Sequence, residues 1–111
     1  MNNWKPITTE ENLNEILKAS ETKPQIIFKD STTCGISAFA KERLVEGSDL
    51  MTATADFNYL DLLTYRNISN QIAQELNVRH QSPQIIVLKN REVVFDDSHH
   101  SIEPKKIQKH L

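Results

Sequence analysis

Two short runs, Ile26-Ile27-Phe28 and Ile85-Ile86-Val87-Leu88, are apolar at every position, with no alternation. A strand with one wet face alternates. A continuous run of this length, bounded by polar residues, reads as a strand covered on both faces, which requires helices on either side of the sheet. Gln25–Lys29 and Gln84–Lys89 are therefore expected to be central strands, and the rest of the chain must supply their cover.

The intervening sequence does so. Trp4–Ile7 reads as a short edge strand. Leu13, Ile16 and Leu17 form one stripe of a helix capped by Thr8 or Thr9 and ending near Ser20; Thr8-x-x-Glu11 fits the strict capping box, which Thr9 and Asn12 miss. Lys23-Pro24 closes the connection. After the polar turn Asp30–Thr33, the spacing of Ile36, Phe39, Ala40 and Leu44 predicts a helix from Cys34 to Glu46, stopped by Gly47. Phe57–Leu63 favours a strand. Asn67 is the expected cap of a helix carrying Ile68, Ile72, Ala73 and Leu76. Asn90-Arg91 separates the second buried run from Glu92–Phe95 by the two residues of a hairpin. Ile102–Leu111 reads as a final helix capped by Ser101, with Pro104 in its first turn. Trp4, Phe28, Phe39 and Phe57 are expected at or near the core, and Lys29 and Asp30 are read as solvated.

The resulting order, β-α-β-α-β-α-β-β-α, implies an α/β fold: one domain over residues 1–111, with a mixed central sheet and helices on both faces. The 111 residues are too few for two well-cored units. A net charge of −2 gives no nucleic-acid footprint. No apolar run is long enough to cross a bilayer, and the first residues lack the pattern of a secretory signal. A single cysteine excludes an intrachain disulfide. Together these features point to a reducing, cytoplasmic setting.

That cysteine, Cys34, follows a buried strand and a polar loop and opens a helix. Unpaired amides and the positive end of the helix dipole stabilise a thiolate there, and can lower its pKa from about 8.5 by one to several units. A free cysteine is more often an inert core residue; this position argues for a nucleophile. Thr33 and Gly35 flank it, and Gly35 allows close backbone approach. Ser37, three residues on, can turn its hydroxyl toward the sulfur, where a two-cysteine enzyme would carry its resolving thiol. Ser82-Pro83 directly precedes the second buried strand, where the backbone of Ser82 could pair with an extended thiol substrate. Position alone favours an ordinary trans bond there. His80, two residues before Ser82-Pro83, could approach the thiol, where a histidinium would favour thiolate; an exposed loop histidine is an equal reading. His99-His100 beside Asp96-Asp97 lacks any metal-ligand spacing, so no metal site is expected.

This arrangement resembles thioredoxin. More narrowly, Ser31-Thr32-Thr33-Cys34-Gly35-Ile36-Ser37 and Arg79-His80-Gln81-Ser82-Pro83-Gln84 resemble the bacilliredoxin family of the YtxJ type, as does Ser98-His99-His100-Ser101 before the last helix. The resemblance covers essentially the whole chain. It implies a thioredoxin-like fold, Cys34 as attacking thiol, Pro83 as a cis proline, and no bound cofactor. It implies bacillithiol, a low-molecular-weight thiol of certain Gram-positive bacteria, as co-substrate, with bacillithiolated client proteins as partners. The family often carries proline after the cysteine, where this chain has Gly35; the glycine adds an N–H donor, so thiol acidity does not carry over. A monomer is expected, since no extra apolar helix face is evident. Two other readings compete. Cys34-Gly35-Ile36-Ser37 is close to the Cys-Gly-Phe-Ser signature of monothiol glutaredoxins that carry iron–sulfur clusters, although the Gly-Gly pair expected after the terminal hairpin is missing. A thioredoxin-fold adaptor without redox chemistry is the other.

Overall fold

The computed structural model describes residues 4–111. Five strands form one mixed sheet: β1 (Lys5–Pro6), β2 (Gln25–Asp30), β3 (Asp56–Asp61), β4 (Gln84–Lys89) and β5 (Glu92–Ser98). Their spatial order is β1-β3-β2-β4-β5. The first three run parallel, and β4 and β5 are antiparallel to their neighbours. The two continuous apolar runs occupy β2 and β4 near the centre. All of β2 is buried, as is β4 up to Lys89.

Helices cover both faces. On one side α1 (Glu10–Ala19) and α4 (Arg66–Glu75) pack Leu13, Ile16, Ile68 and Ile72 against Ile27, Leu60 and Ile86. On the other, α2 (Gly35–Glu46), α3 (Ser48–Thr52) and α5 (Pro104–Gln108) bring Ala40, Leu44, Met51 and Ile107 onto Phe28, Phe57 and Val87. Trp4 stacks on Phe57 at 4.1 Å between ring centroids, which seals the β1 edge. Among the described residues no helix is long and apolar enough to cross a membrane.

Several boundaries differ from the sequence reading, each for a local reason. The cap of α1 is Thr9, not Thr8: its hydroxyl accepts from Asn12 N–H, and Asn12 Oδ1 accepts from Thr9 N–H, both at 3.1 Å. Asparagine thus fills the reciprocal place usually taken by Glu or Gln. α4 begins at Arg66 and not after Asn67. A turn closed by the Asp61 carboxylate on Thr64, and by Tyr65 N–H on the Asp61 carbonyl, uses up the preceding residues. The last helix is shorter than expected. His99–Ser101 form a 3-10 turn, Ile102 is extended and buried, and Pro104 opens α5 with Glu103 as cap.

α2 buries Ala40 and Leu44 as its apolar spacing suggests, but Ser37 joins them inside in place of Phe39, which is half exposed. The Phe39 ring instead lies under the Arg43 guanidinium, 5.5 Å from its centroid, a cation–π contact on the surface. Gly47 caps α2, but with φ −99° it is not the left-handed stop that glycine commonly supplies. Its role is close approach: a β-carbon there would sit 2.5 Å from Pro104 Cγ. At the hairpin, Asn90 and Arg91 both take positive φ, 52° and 68°, as a two-residue primed turn requires. Arg91 is a poor residue for that conformation. It is held by Ser20, whose hydroxyl accepts from Arg91 N–H at 2.9 Å, and by an ion pair with Glu21.

Candidate functional site

Strand β2 ends at Asp30, a turn through Ser31–Thr33 follows, and α2 begins at Gly35 with Cys34 as its N-cap residue. Cys34 is extended (φ −102°, ψ 129°) and partly exposed. Its thiol therefore lies where the unpaired amides of the first helical turn converge. The thiol pKa is lowered, first by the backbone N–H of Ser37, then by that of Ile36, and further by the Ser37 hydroxyl. Partial desolvation and the charge of Asp30 oppose the shift. The hydroxyl oxygen of Ser37 accepts from Ser31 N–H at 3.2 Å. That leaves its proton free for the sulfur and explains why a polar residue occupies a buried position of α2.

The proline loop reaches the same end of the sheet. In the antiparallel pair β2–β4, Lys29 stands opposite Gln84, so the turn leaving β2 and the residues entering β4 are neighbours. The Ser82–Pro83 peptide bond is cis. Pro83 is buried, Ser82 is half-buried, and the Pro83 carbonyl accepts from His99 N–H at 3.0 Å. Gln84 Nε2 donates to the Arg79 carbonyl at 3.0 Å, tying the loop to the start of its strand. The sequence-predicted residues Thr33, Cys34, Gly35 and Ser37 thus share one turn and helix start, with Ser82 and Pro83 on the adjoining loop. Thr33 and Gly35 are exposed.

A nucleophilic cysteine of lowered pKa at a helix start, beside a cis-proline loop, is an arrangement suited to thiol–disulfide exchange. Comparison with known proteins agrees. The family model described as monothiol bacilliredoxin BrxC matches residues 5–107. The chain belongs to the monothiol bacilliredoxin family. A solved structure described as a candidate oxidoreductase with a thioredoxin fold superposes with a TM-score of 0.81 at 26% identity, covering 97% of this chain and 93% of that one. Thioredoxin Mala s 13 from Malassezia sympodialis gives 0.71 at 20% identity, covering 96% and 85%. Thioredoxin O2 from Arabidopsis thaliana gives 0.72 at 16%, covering 96% and 90%. The last two speak for the thioredoxin fold alone. The family assignment carries thiol redox function in general.

Two charged residues of this bacilliredoxin were misjudged from sequence. Lys29 and Asp30, read as solvated, are both buried. Asp30 accepts from the Tyr59 hydroxyl at 2.5 Å and faces Lys41 Nζ at 3.8 Å. Burial raises its pKa. Lys29 Nζ lies 3.1 Å from His80 Nδ1, and burial pushes the lysine down to about 8. Of the two readings of His80, the exposed loop histidine is the one observed; desolvation, Lys29 and Arg66 all lower its pKa, which disfavours a histidinium. The signal for both burials was present. A strand apolar through Ile26-Ile27-Phe28 has no wet side, so the next two residues inherit buried positions on opposite faces.

Gly35 also behaves differently than its flexibility suggested. The amides that lower the Cys34 pKa belong to Ile36 and Ser37, not to Gly35, and a β-carbon at Gly35 would meet nothing within 4 Å. Cys34 already has the extended backbone that a following proline demands, and the first helical position is where proline fits best. Gly35→Pro is therefore expected to stabilise the bacilliredoxin by about 0.5–1 kcal/mol, through the lost freedom of the unfolded chain. The thiol pKa should change little. Denaturant midpoints and the pH dependence of thiol alkylation check both halves.

Proposed function

We propose that this chain removes bacillithiol from protein mixed disulfides, with Cys34 as the attacking thiol. The observation that carries this reading is the helix-start placement of Cys34: partly exposed, its thiolate favoured by the Ser37 and Ile36 amides, and the only cysteine in the chain. Membership of the monothiol bacilliredoxin family supports bacillithiol as the small thiol.

The reaction is one exchange. Cys34 Sγ, as thiolate, attacks the bacillithiol sulfur of the client's mixed disulfide. An S–S bond forms between Cys34 and bacillithiol, the original S–S bond breaks, and the client leaves as a thiolate that takes a proton from water. Oxidation state is conserved overall: the client cysteine is reduced and Cys34 is oxidised to the mixed disulfide. With Ser37 where a resolving cysteine would stand, the enzyme cannot expel the adduct itself. A second thiol from outside this chain must do so. Pairing of the Ser82 backbone with the client as an added strand would hold the disulfide in line, with Thr33, Gly35 and the Pro83 loop forming the rim. We place the reaction in the cytoplasm, with the protein working as a monomer and no bound cofactor.

Mass spectrometry of a bacillithiolated client mixed with the reduced protein tests the assignment. The adduct should leave the client and appear on Cys34. An adduct that stays on the client at stoichiometric enzyme would overturn it.

A further inference from the structure

Lys29 is a fully buried ammonium that directly follows the apolar run Ile26-Ile27-Phe28 of β2. A buried charge costs several kcal/mol unless it is paired, yet none of the six ion pairs among the described residues includes it. Its one side-chain hydrogen-bond partner is the neutral ring of His80. The cross-strand neighbours of Lys29 are Leu60 and the buried Gln84, neither of which carries a charge to pair with it, so stability does not account for the lysine.

The contact does have a chemical consequence. An ammonium has only protons to offer, so His80 Nδ1 must accept, and the ring proton resides on Nε2. The ring itself is exposed, two residues before Ser82. Behind it lies one positive charge, and Arg66 at the start of α4 is near enough to act on the same ring. Arg66 makes no ion pair either. Asp61, the last residue of β3, accepts from the Thr64 hydroxyl at 2.8 Å. In a chain of net charge −2, three basic groups thus lie beside the proline loop, none of them in an ion pair among the described residues.

We propose that Lys29 and His80 act as a positioning couple in which the buried ammonium fixes His80 as an Nε2–H donor, and that this donor, with Arg66, recognises a carboxylate on the small-thiol half of the incoming disulfide. The inference rests on the reading of Cys34 as the attacking thiol. It adds the residues that read the charge of the small thiol, and a direction: the small thiol lies toward the α1/α4 side of the sheet.

Cys34 is the sole thiol, so its reaction with chromogenic disulfides can be followed directly. The probes are dithiobis(nitrobenzoate), which is dianionic, and dithiodipyridine, which is neutral. Lys29→Met should slow the reaction with the dianionic reagent about threefold to tenfold, the loss of one partly exposed charge-assisted contact. The rate with the neutral reagent should stay within about twofold. His80→Ala should reproduce the selective loss on an exposed residue whose removal spares the core, and His80→Gln, which keeps an N–H donor, should restore part of it. Nitrogen NMR of the wild-type ring should show the Nε2–H tautomer, and in Lys29→Met a mixture. Parallel changes with both reagents, no change with either, or an Nδ1–H ring in the wild type would overturn the couple. Neither reagent contains bacillithiol. Selective loss alongside failed adduct transfer would therefore sink the bacillithiol assignment alone, and intact transfer without selectivity would sink only the carboxylate site.

Discussion

Cys34→Ser is expected to abolish adduct transfer, by a factor of about a thousand or more, while making the folded protein more stable at neutral pH. The two effects have one cause. Cys34 is the N-cap residue of α2 and makes no side-chain cap hydrogen bond. Serine is among the best residues for that position, because its oxygen accepts from the second or third amide of the helix. Those amides belong to Ile36 and Ser37, the same two that lower the thiol pKa. Catalysis and capping therefore compete for one pair of donors, and the protein holds a weak cap in order to keep a reactive sulfur. The pH dependence follows with a definite sign. Because the thiol pKa is lower in the folded state than its ordinary value of 9.0, the stabilisation from ionised Cys34 is fully present above that value. It is lost as pH falls through the lowered pKa. The advantage of the serine variant should accordingly be largest in mildly acidic solution and shrink toward pH 9. Denaturation midpoints across that range, with transfer assays alongside, measure both. A serine variant less stable than wild type at pH 6 would remove the shared-donor explanation; one that still transferred the adduct would remove Cys34 as nucleophile.

The parts of the molecule legible in the sequence are those where one physical preference acts alone. Ile26–Phe28 and Ile85–Leu88 have no alternation, and they became the two fully covered strands. Asn90 tolerates positive φ, and the hairpin turned there. What escaped were places where two demands meet. In α2 the apolar spacing pointed to Ile36, Phe39, Ala40 and Leu44; Ala40 and Leu44 are buried, but the site needs the Ser37 hydroxyl inside, against Ser31 N–H and the sulfur, and Phe39 is left at the surface. Helix α3 has five residues with only Met51 buried, too short for a period to register. Lys29 is charged in a position that geometry makes internal. No count of hydrophobic residues anticipates that, because the reason for the charge lies in its partner His80, 51 residues away. Cys34, Ser37 and Pro83 could be singled out in advance because each sits at a junction between elements, where chemistry and local structure are written in the same few residues.

Phe28→Ala is expected to cost about 3–5 kcal/mol of stability, a large share of the total for a domain of this size. The ring is fully buried in the middle of β2. It meets Trp4 edge-on at 6.2 Å, Phe57 at 6.4 Å and Tyr59 at 6.0 Å between centroids. The neighbours cannot close the resulting void. Trp4 is already stacked on Phe57 at 4.1 Å, and Tyr59 is anchored through its hydroxyl to Asp30. That anchor makes the damage functional as well as structural. Tyr59 and Asp30 lie at the end of β2 from which the Cys34 turn departs, so a Tyr59 ring relaxing into the void would pull on the carboxylate whose charge acts on the thiol. Val94→Ala, on the exposed edge strand, is the matched control and should change stability by less than about 0.5 kcal/mol. Denaturant unfolding of the two variants separates the cases. A loss below about 1 kcal/mol for Phe28→Ala would mean that the aromatic cluster yields to fill the space, and that the turn carrying Cys34 is held from the helix side alone.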